Sequence, residues 1–542
     1  MTSAIIDGDR ALAYGALNGG ASIITGYPGS PSSGTLEHLI KIQGDFGFYI
    51  EWSVNEKVAA EVAIGASIGG RRSLVCVKSV GMNLMLDPLM ALNLTPVNGG
   101  LIILLGDDPG GYGSQNDQDT RPLMTMLELP MLEPVNPWEG FLMMKEVFEL
   151  SEQFRLPIII RETRAFSKAS AKFDLPSFDY NPPSYGVVIE PFRFVPVPSN
   201  AVQKHRKLHQ QLLAFQDWTE TSPFNQSNIK SKKGIIASGF AHRKLLDVLG
   251  DNLTVDLSFY KLSTLYPLPE KSLATFMKSC DEVLVLEETL PFIENALKVI
   301  AYDYSCSTTI LGKSSGHLPS EGELFRWKIA EVLKSFRPGI CLNPNYSKKN
   351  EGIEIPQRRN PCADCRYEEV LDAVDRAAKS LHMNPLFTGD PGCLFSVGDR
   401  LLAKYAIGSA VALASGLAKA DVDRPLVALV GDSGFFHTTI PAICNASYNQ
   451  SKIMLVVLDN GAAVTSGGQS TPATGHDTMG NPSPKLHFFD IAQACGVGLV
   501  IHTHIDDAGN NLIKAFRRAL QSEQLSLVVV KIPRTTTNQV AI

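Results

Sequence analysis

Short, uninterrupted apolar runs alternate with helix-patterned stretches along this chain, and that alternation restricts the fold more than any other feature. ASIITGYP (Ala21–Pro28), SLVCVKSV (Ser73–Val80), GLIILLGD (Gly100–Asp107) and LPIIIRET (Leu156–Thr163) are of strand length and lack regular polar alternation. Strands buried on both faces of a parallel sheet read this way. Between them, EKVAAEVAIGASIGG (Glu56–Gly70) and WEGFLMMKEVFELSEQF (Trp138–Phe154) carry small and apolar residues at helical spacing. The series predicts a doubly wound α/β unit over residues 1–175.

The pattern recurs. Residues 176–232 read as a linker that wraps another domain. Proline-bearing segments (FDLPSFDYNPPSYG, EPFRFVPVPSN) are followed by a polar helix over about Ala201–Trp218. A second α/β unit spans 233–345, with strands near Ile235, Val255 and Val283. A third spans 350–542, where RPLVALVGDSGFF, KIMLVVLDN and LSLVVVKIP are strands and Gly408–Ala420 a helix. At 542 residues, three domains of roughly 100–200 residues are expected. A hydrophobic content of 44% against 19% charged is enough to fill their cores.

A formal net charge of -6 supplies no basic field for a phosphate backbone, which argues against a nucleic-acid binder. The N-terminus lacks the basic-then-apolar pattern of a signal peptide. No apolar run reaches the roughly 18 residues of a membrane span, so a cytoplasmic protein is expected. Cysteines stand at 76, 280, 306, 341, 362, 365, 393, 444 and 495, and in so long a chain they form no disulfide framework. Only Cys362 and Cys365 are closely spaced.

In a doubly wound sheet, ligands bind beyond the carboxyl ends of the strands. PLVALV delivers Gly431-Asp432-Ser433 to such an end, and IMLVVL delivers Asp459-Asn460 to another. Asp432 and Asn460 can then offer side-chain oxygens from neighbouring loops. Mg²⁺ suits that set, because it is hard and shares its shell with substrate phosphates. TSGGQ (Thr465–Gln469) follows, and the backbone at Gly467 and Gly468 can approach phosphate oxygens closely. GDS alone is no more specific than a capped strand-to-helix turn; GDS, LDN and SGGQ in series are far more so.

These motifs resemble the diphosphate and Mg²⁺ site of thiamine diphosphate enzymes. More narrowly, GDSGFFHTTIPAICNASYNQSKIMLVVLDNGAAVTSGGQSTPATG is similar to the alpha subunit of indolepyruvate:ferredoxin oxidoreductase and its 2-oxoacid:ferredoxin oxidoreductase relatives. TGYPGSPSSGTLEHL, EWSVNEKVAAEVAIGAS, KSVGMN, DPLM, DDPGGYGSQNDQDTR and LEETLPFIE extend the resemblance over nearly the whole chain. It implies a pyrimidine-binding domain, a transketolase C-terminal-like domain and a diphosphate-binding domain. It implies that Asp432, Asn460 and the carbonyl of Ala462 hold Mg²⁺, with Gly431 and Thr465 against the diphosphate and Ser433 and Gln469 beside them.

The resemblance makes Glu56 the carboxylate that hydrogen-bonds the aminopyrimidine. Glu61 is the competitor, but it sits five residues on, about 140° around the helix, so both cannot face one ring. Ser30 matches a hydroxyl near the substrate carboxylate, while Ser32 and Ser33 can serve as helix caps. Arg121 can pair with the substrate carboxylate through a bidentate fork, or form a surface salt bridge.

Two departures from the family's pattern bear on electron transfer. The family holds a [4Fe-4S] cluster on four cysteines; Cys362, Cys365 and Cys393 match three, and VVVKIPRTTT (Val528–Thr537) has no cysteine where the fourth is expected. The family's CPGCPH reads CADCRY here. The ferredoxin-like domain with two C-x₂-C-x₂-C-x₃-C runs is also not in this sequence. The expected function is thiamine diphosphate-dependent oxidative decarboxylation of an arylpyruvate-like 2-oxo acid to an acyl-coenzyme A. Electrons would pass to ferredoxin or another acceptor. A small second subunit and a dimer of alpha chains or of heterodimers are expected partners. Altered cluster ligands favour an alternative, a non-redox decarboxylase or carboligase. A cofactor-free scaffold would bind no thiamine diphosphate.

Overall fold

The computed structural model describes residues 4–250, 256–346, 355, 365–506 and 509–533. The chain divides into two compact units, 1–358 and 359–542. It is an α/β protein with several parallel sheets.

The amino-terminal unit is built on two large sheets. The first has seven strands, ordered Thr264–Tyr266, Met131–Leu132, Ile158–Thr163, Leu101–Asp107, Ser73–Lys78, Ile23–Gly26, Tyr49–Trp52. All pair in parallel except the Thr264–Tyr266 edge. Ser73–Lys78, Leu101–Asp107 and Ile158–Thr163 are buried throughout, which explains their unbroken apolar runs. Each fully buried Ile, Leu or Val there contributes about 1.5–3 kcal/mol. Helices Glu56–Ile68 and Pro137–Phe154 start on Asn caps: Asn55 accepts from Val58 N–H and Asn136 from Glu139 N–H.

The second sheet orders Thr309–Leu311, Glu282–Leu286, Lys233–Ser238, Ser258–Leu262, Gln226–Asn228, the last antiparallel. The strand expected near Val255 begins at Ser258; Val255 itself lies outside the described residues.

The segment 176–232 is more than a linker. Its helix, Ala201–Thr219, buries Leu208, Leu212 and Phe215, and its strand Gln226–Asn228 completes the second sheet. It does also wrap: Tyr185 N–H donates to Gly70 O, and Tyr180 Oη donates to Ala21 O. Conversely, Thr264–Tyr266, from the stretch assigned to the second domain, closes the first sheet.

The carboxyl-terminal unit holds one six-stranded parallel sheet. Its order is Leu401–Lys404, Leu386–Gly389, Leu426–Gly431, Met454–Asp459, Ser526–Lys531, Leu499–His504. Leu426–Gly431 and Met454–Asp459 pair in register from Val427 with Met454 to Gly431 with Leu458. Asp432 and Asn460 therefore leave adjacent strand ends at the same level. None of the helices among the described residues is long and apolar enough to cross a membrane.

Candidate active site

In the carboxyl-terminal unit three neighbouring strand ends feed one set of loops: GDPGC after Leu386–Gly389, GDS after Leu426–Gly431, and DNGA after Met454–Asp459. Asp432 is 2% exposed. One carboxylate oxygen accepts the Ser433 N–H (2.8 Å), while the other, Oδ2, is buried with no hydrogen-bond partner. Burial pushes its pKa up to about 7, and the N–H groups of Gly461 and Ala462, which face it from the next loop, offset this only partly. An orphaned buried carboxylate oxygen is costly unless something completes it. A hard cation is the chemistry that fits it.

Asn460 is held from two sides. Its Oδ1 accepts the Ala462 N–H (3.3 Å), and its Nδ2 donates to Tyr367 Oη (3.3 Å). TSGGQ closes as a tight turn. Ala463 and Gln469 bridge, and Gly467 and Gly468 adopt φ of 125° and 86°, values that favour glycine. Nothing lies within 4 Å of where a Cβ would stand on Gly431 or Gly468, so a ligand can approach the backbone there. Thr465 Oγ1 lies 3.7 Å from the corresponding position on Gly392, which brings the GDPGC loop to the same turn. The residues present thus suit a diphosphate and its metal.

Two residues here escaped the sequence reading. Asp390 is buried and accepts the N–H groups of Gly408 (2.6 Å) and Ala410 (2.9 Å), and burial pushes its pKa up to about 7. Its signal was a second Gly-Asp at a strand end, in GDPGC. Tyr367, in CADCRY, is buried with its hydroxyl toward Asn460 and hydrogen-bonded to Cys393; burial and the neighbouring thiols raise its pKa. Cys365 Sγ lies 3.5 Å from Ser396 Oγ. Cys362 falls outside the described residues. Cys444 and Cys495, the other thiols in this stretch, hydrogen-bond each other, and burial followed by Cys444 pushes the Cys495 pKa to about 11.

In the amino-terminal unit the strand ends also converge. Glu56 opens its helix and is 6% exposed. Its carboxyl packs against Gly81, where a Cβ would stand 2.5 Å from Glu56 Oε1. The glycine of KSVGMN is therefore what admits the glutamate. Glu61 points elsewhere, exposed and paired with Lys57. The turn YPGSP nests over the ends of two central strands: a Cβ on Gly106 would meet Pro31 at 2.8 Å, and one on Gly29 would meet Lys78 at 2.9 Å. Lys78 donates to Gly113 O (2.7 Å), beside Asp108, which accepts from Gly113 N and Ser114 Oγ. Ser30 is half-buried and joined to Pro31 by a cis peptide.

Two expectations need correction. Arg121 is neither a substrate fork nor a surface residue. It is 1% exposed and bound to Asp119 (2.6 Å), Glu287 (2.7 Å) and the carbonyls of Glu288 and Leu290. All three of its nitrogens hydrogen-bond inside the protein. Ser32 and Ser33 do not cap the following helix. Ser32 Oγ donates back to Gly29 O, and Ser33 Oγ accepts the Gly29 N–H, so both hold the turn. LEETLPFIE is structural: Glu287 accepts the N–H groups of Ile293 and Glu294 besides Arg121, and Glu288 takes the buried Lys244 ammonium.

Residues 14–182 match the family described as "Pyruvate flavodoxin/ferredoxin oxidoreductase, thiamine diP-bdg", and 402–530 match "Thiamine pyrophosphate enzyme, C-terminal TPP binding domain". The fold and these two regions define a thiamine diphosphate-dependent enzyme. The chain is 33% identical over 540 residues to the indolepyruvate oxidoreductase subunit IorA of Methanothermobacter marburgensis, covering 97% of this chain and 86% of that one. It is 30% identical to the same subunit of Pyrococcus abyssi, covering 97% and 84%. The 2-oxoglutarate synthase subunit KorA of Archaeoglobus fulgidus is 23% identical over 53% of this chain and 88% of its own. The chain belongs to the indolepyruvate oxidoreductase subunit IorA family. It is a subunit of a 2-oxoacid oxidoreductase.

Proposed function

We propose that this chain binds thiamine diphosphate with Mg²⁺ and carries out the oxidative decarboxylation of an arylpyruvate-like 2-oxo acid to its acyl-coenzyme A, in the cytoplasm. The observation that carries the reading is the buried, unpartnered Oδ2 of Asp432, set at a parallel-strand end beside the 460–462 loop. Bound there, the cofactor supplies a nucleophilic carbon and an electron sink for decarboxylation.

The chain's own residues do the rest. Asp432, Asn460 and the Ala462 carbonyl hold the metal, and Gly431, Thr465 and the N–H groups of Gly467 and Gly468 receive the diphosphate. Glu56, seated in its buried slot, holds a proton on the ring nitrogen of the pyrimidine, and low exposure keeps that hydrogen bond dry. The Ser30 hydroxyl orients the substrate carboxylate. Cys365 and Cys393, with Cys362 from the same motif, would hold an iron–sulfur group that would supply one-electron chemistry; otherwise another redox partner would take the electrons. A small second subunit completes the enzyme, and ferredoxin or another acceptor takes the electrons.

Calorimetry with thiamine diphosphate and Mg²⁺ tests the site: wild type should bind and Asp432→Ala should not, and equal binding by both sinks it. Iron and thiamine content of the complex purified without oxygen, with whatever subunit co-purifies, tests the redox branch. Thiamine without iron would remove it.

A further inference from the structure

A cluster outside the residues described above has the chemistry of a metal site. Helix Ala201–Thr219 packs through Leu208, Leu212 and Phe215 onto the amino-terminal unit. His205 and His209 lie one turn apart on it, with ring centroids 4.3 Å apart. Opposite them the short helix Leu123–Leu127 ends at Glu128, whose φ is 53°. That left-handed conformation is disfavoured for a residue with a Cβ, and glycine or asparagine is usual at such a helix end. Here a glutamate takes it, and its carboxylate reaches both rings. Oε2 stands 2.5 Å from His205 Nε2, and Oε1 stands 2.8 Å from His209 Nε2.

The three ligand atoms lie within 4.8 Å of one another. Two imidazoles four residues apart on one helix face, with a carboxylate, form a donor set that suits zinc-type ions and is too nitrogen-rich for Mg²⁺ or Ca²⁺. A tetrahedral ion with bonds of about 2.0–2.2 Å needs donors roughly 3.3 Å apart, so small side-chain adjustments admit it. Two adjacent protonated rings would repel each other; a single divalent cation takes both lone pairs and the carboxylate charge together. His205 and His209 are about half exposed, which leaves the fourth position to water.

The geometry points to a surface site for a zinc-type divalent transition metal at Glu128, His205 and His209. The ion fastens helix Ala201–Thr219 to the turn that leads into strand Met131–Leu132. The test uses the full chain, stripped with chelator and free of thiamine diphosphate. Wild type and the double variant His205→Gln/His209→Gln are titrated with Zn²⁺ by calorimetry, and with Co²⁺ by visible absorbance. Wild type is expected to take up one more equivalent of zinc than the variant and to show a histidine-type cobalt band that the variant lacks. Zinc should also raise the thermal midpoint of wild type more than that of the variant. Thiols elsewhere contribute equally to both proteins, so the difference reports the site. Circular dichroism identical without metal shows that the variant is folded. Equal stoichiometry and equal thermal shifts in the two proteins would overturn the assignment and leave a histidine–glutamate ion pair only.

Discussion

Gly81 and Glu56 are complementary: the missing side chain of one is the space that the other's carboxyl occupies, at 2.5 Å from a hypothetical Cβ. Gly81→Ala must therefore displace Glu56 while leaving every charged group in place. Activity should fall on the order of 100-fold, as expected when a catalytic group is moved by about 1 Å. Glu56→Gln should cost about 10²–10⁴-fold. Steady-state rates with saturating cofactor check both, and an unimpaired Gly81→Ala enzyme would show that Glu56 is not the working carboxylate.

Asp432→Asn separates cofactor binding from stability. Losing a metal ligand should weaken Mg²⁺-dependent cofactor binding by at least about 10–100-fold. In the cofactor-free chain, however, the buried oxygen has no partner to lose. The thermal midpoint without cofactor should stay level or rise slightly. A strong drop would mean that Asp432 has a structural role.

Arg121 gives the opposite expectation. Removing it strands Asp119 and Glu287 in the interior; burial opposes the Asp119 charge, yet the guanidinium outweighs it and holds the pKa at about 2. Arg121→Met should lose about 3–5 kcal/mol of stability, read from the urea midpoint. An unchanged midpoint with a raised KM for the 2-oxo acid would return Arg121 to the substrate.

Asp9 and Glu162 predict a pH dependence of stability. Glu162 is fully buried with neither oxygen bonded, and Asp9 Oδ1 is likewise unpartnered. Burial, then Asp9, raises the Glu162 pKa; burial pushes Asp9 from 3.8 up to about 8. A carboxyl raised in the folded state binds its proton more tightly there than in the unfolded chain. Its contribution is fully present below pH 3.8 and is lost as pH rises towards about 8. The thermal midpoint should fall between about pH 5 and 8, and Asp9→Asn should flatten that slope.

What the sequence reveals follows from burial and range. Strands such as Leu101–Asp107 are legible because both faces are buried, so no polar residue interrupts them. Leu499–His504 is half exposed and reads LVIHTH, which hides it. Asp432 and Asn460 are legible because strong strands fix where they emerge. Arg121 is not, because Glu287, Glu288 and Leu290, which bury it, lie more than 160 residues away and nothing local marks them. Tyr367 likewise takes its meaning from Cys393 and Asn460, which only the sheet order brings near it.

The antiparallel strand Thr264–Tyr266 has a consequence for biosynthesis. It covers Met131–Leu132 at the margin of the first sheet, and Glu133 N–H donates to Ser263 O beside it. A nascent chain of 175 residues therefore still presents an uncovered strand to whatever surrounds the ribosome. The first sheet is sealed only after residue 266 has emerged, so the two halves of this unit mature together, and a fragment cut between them should be prone to associate through that open margin.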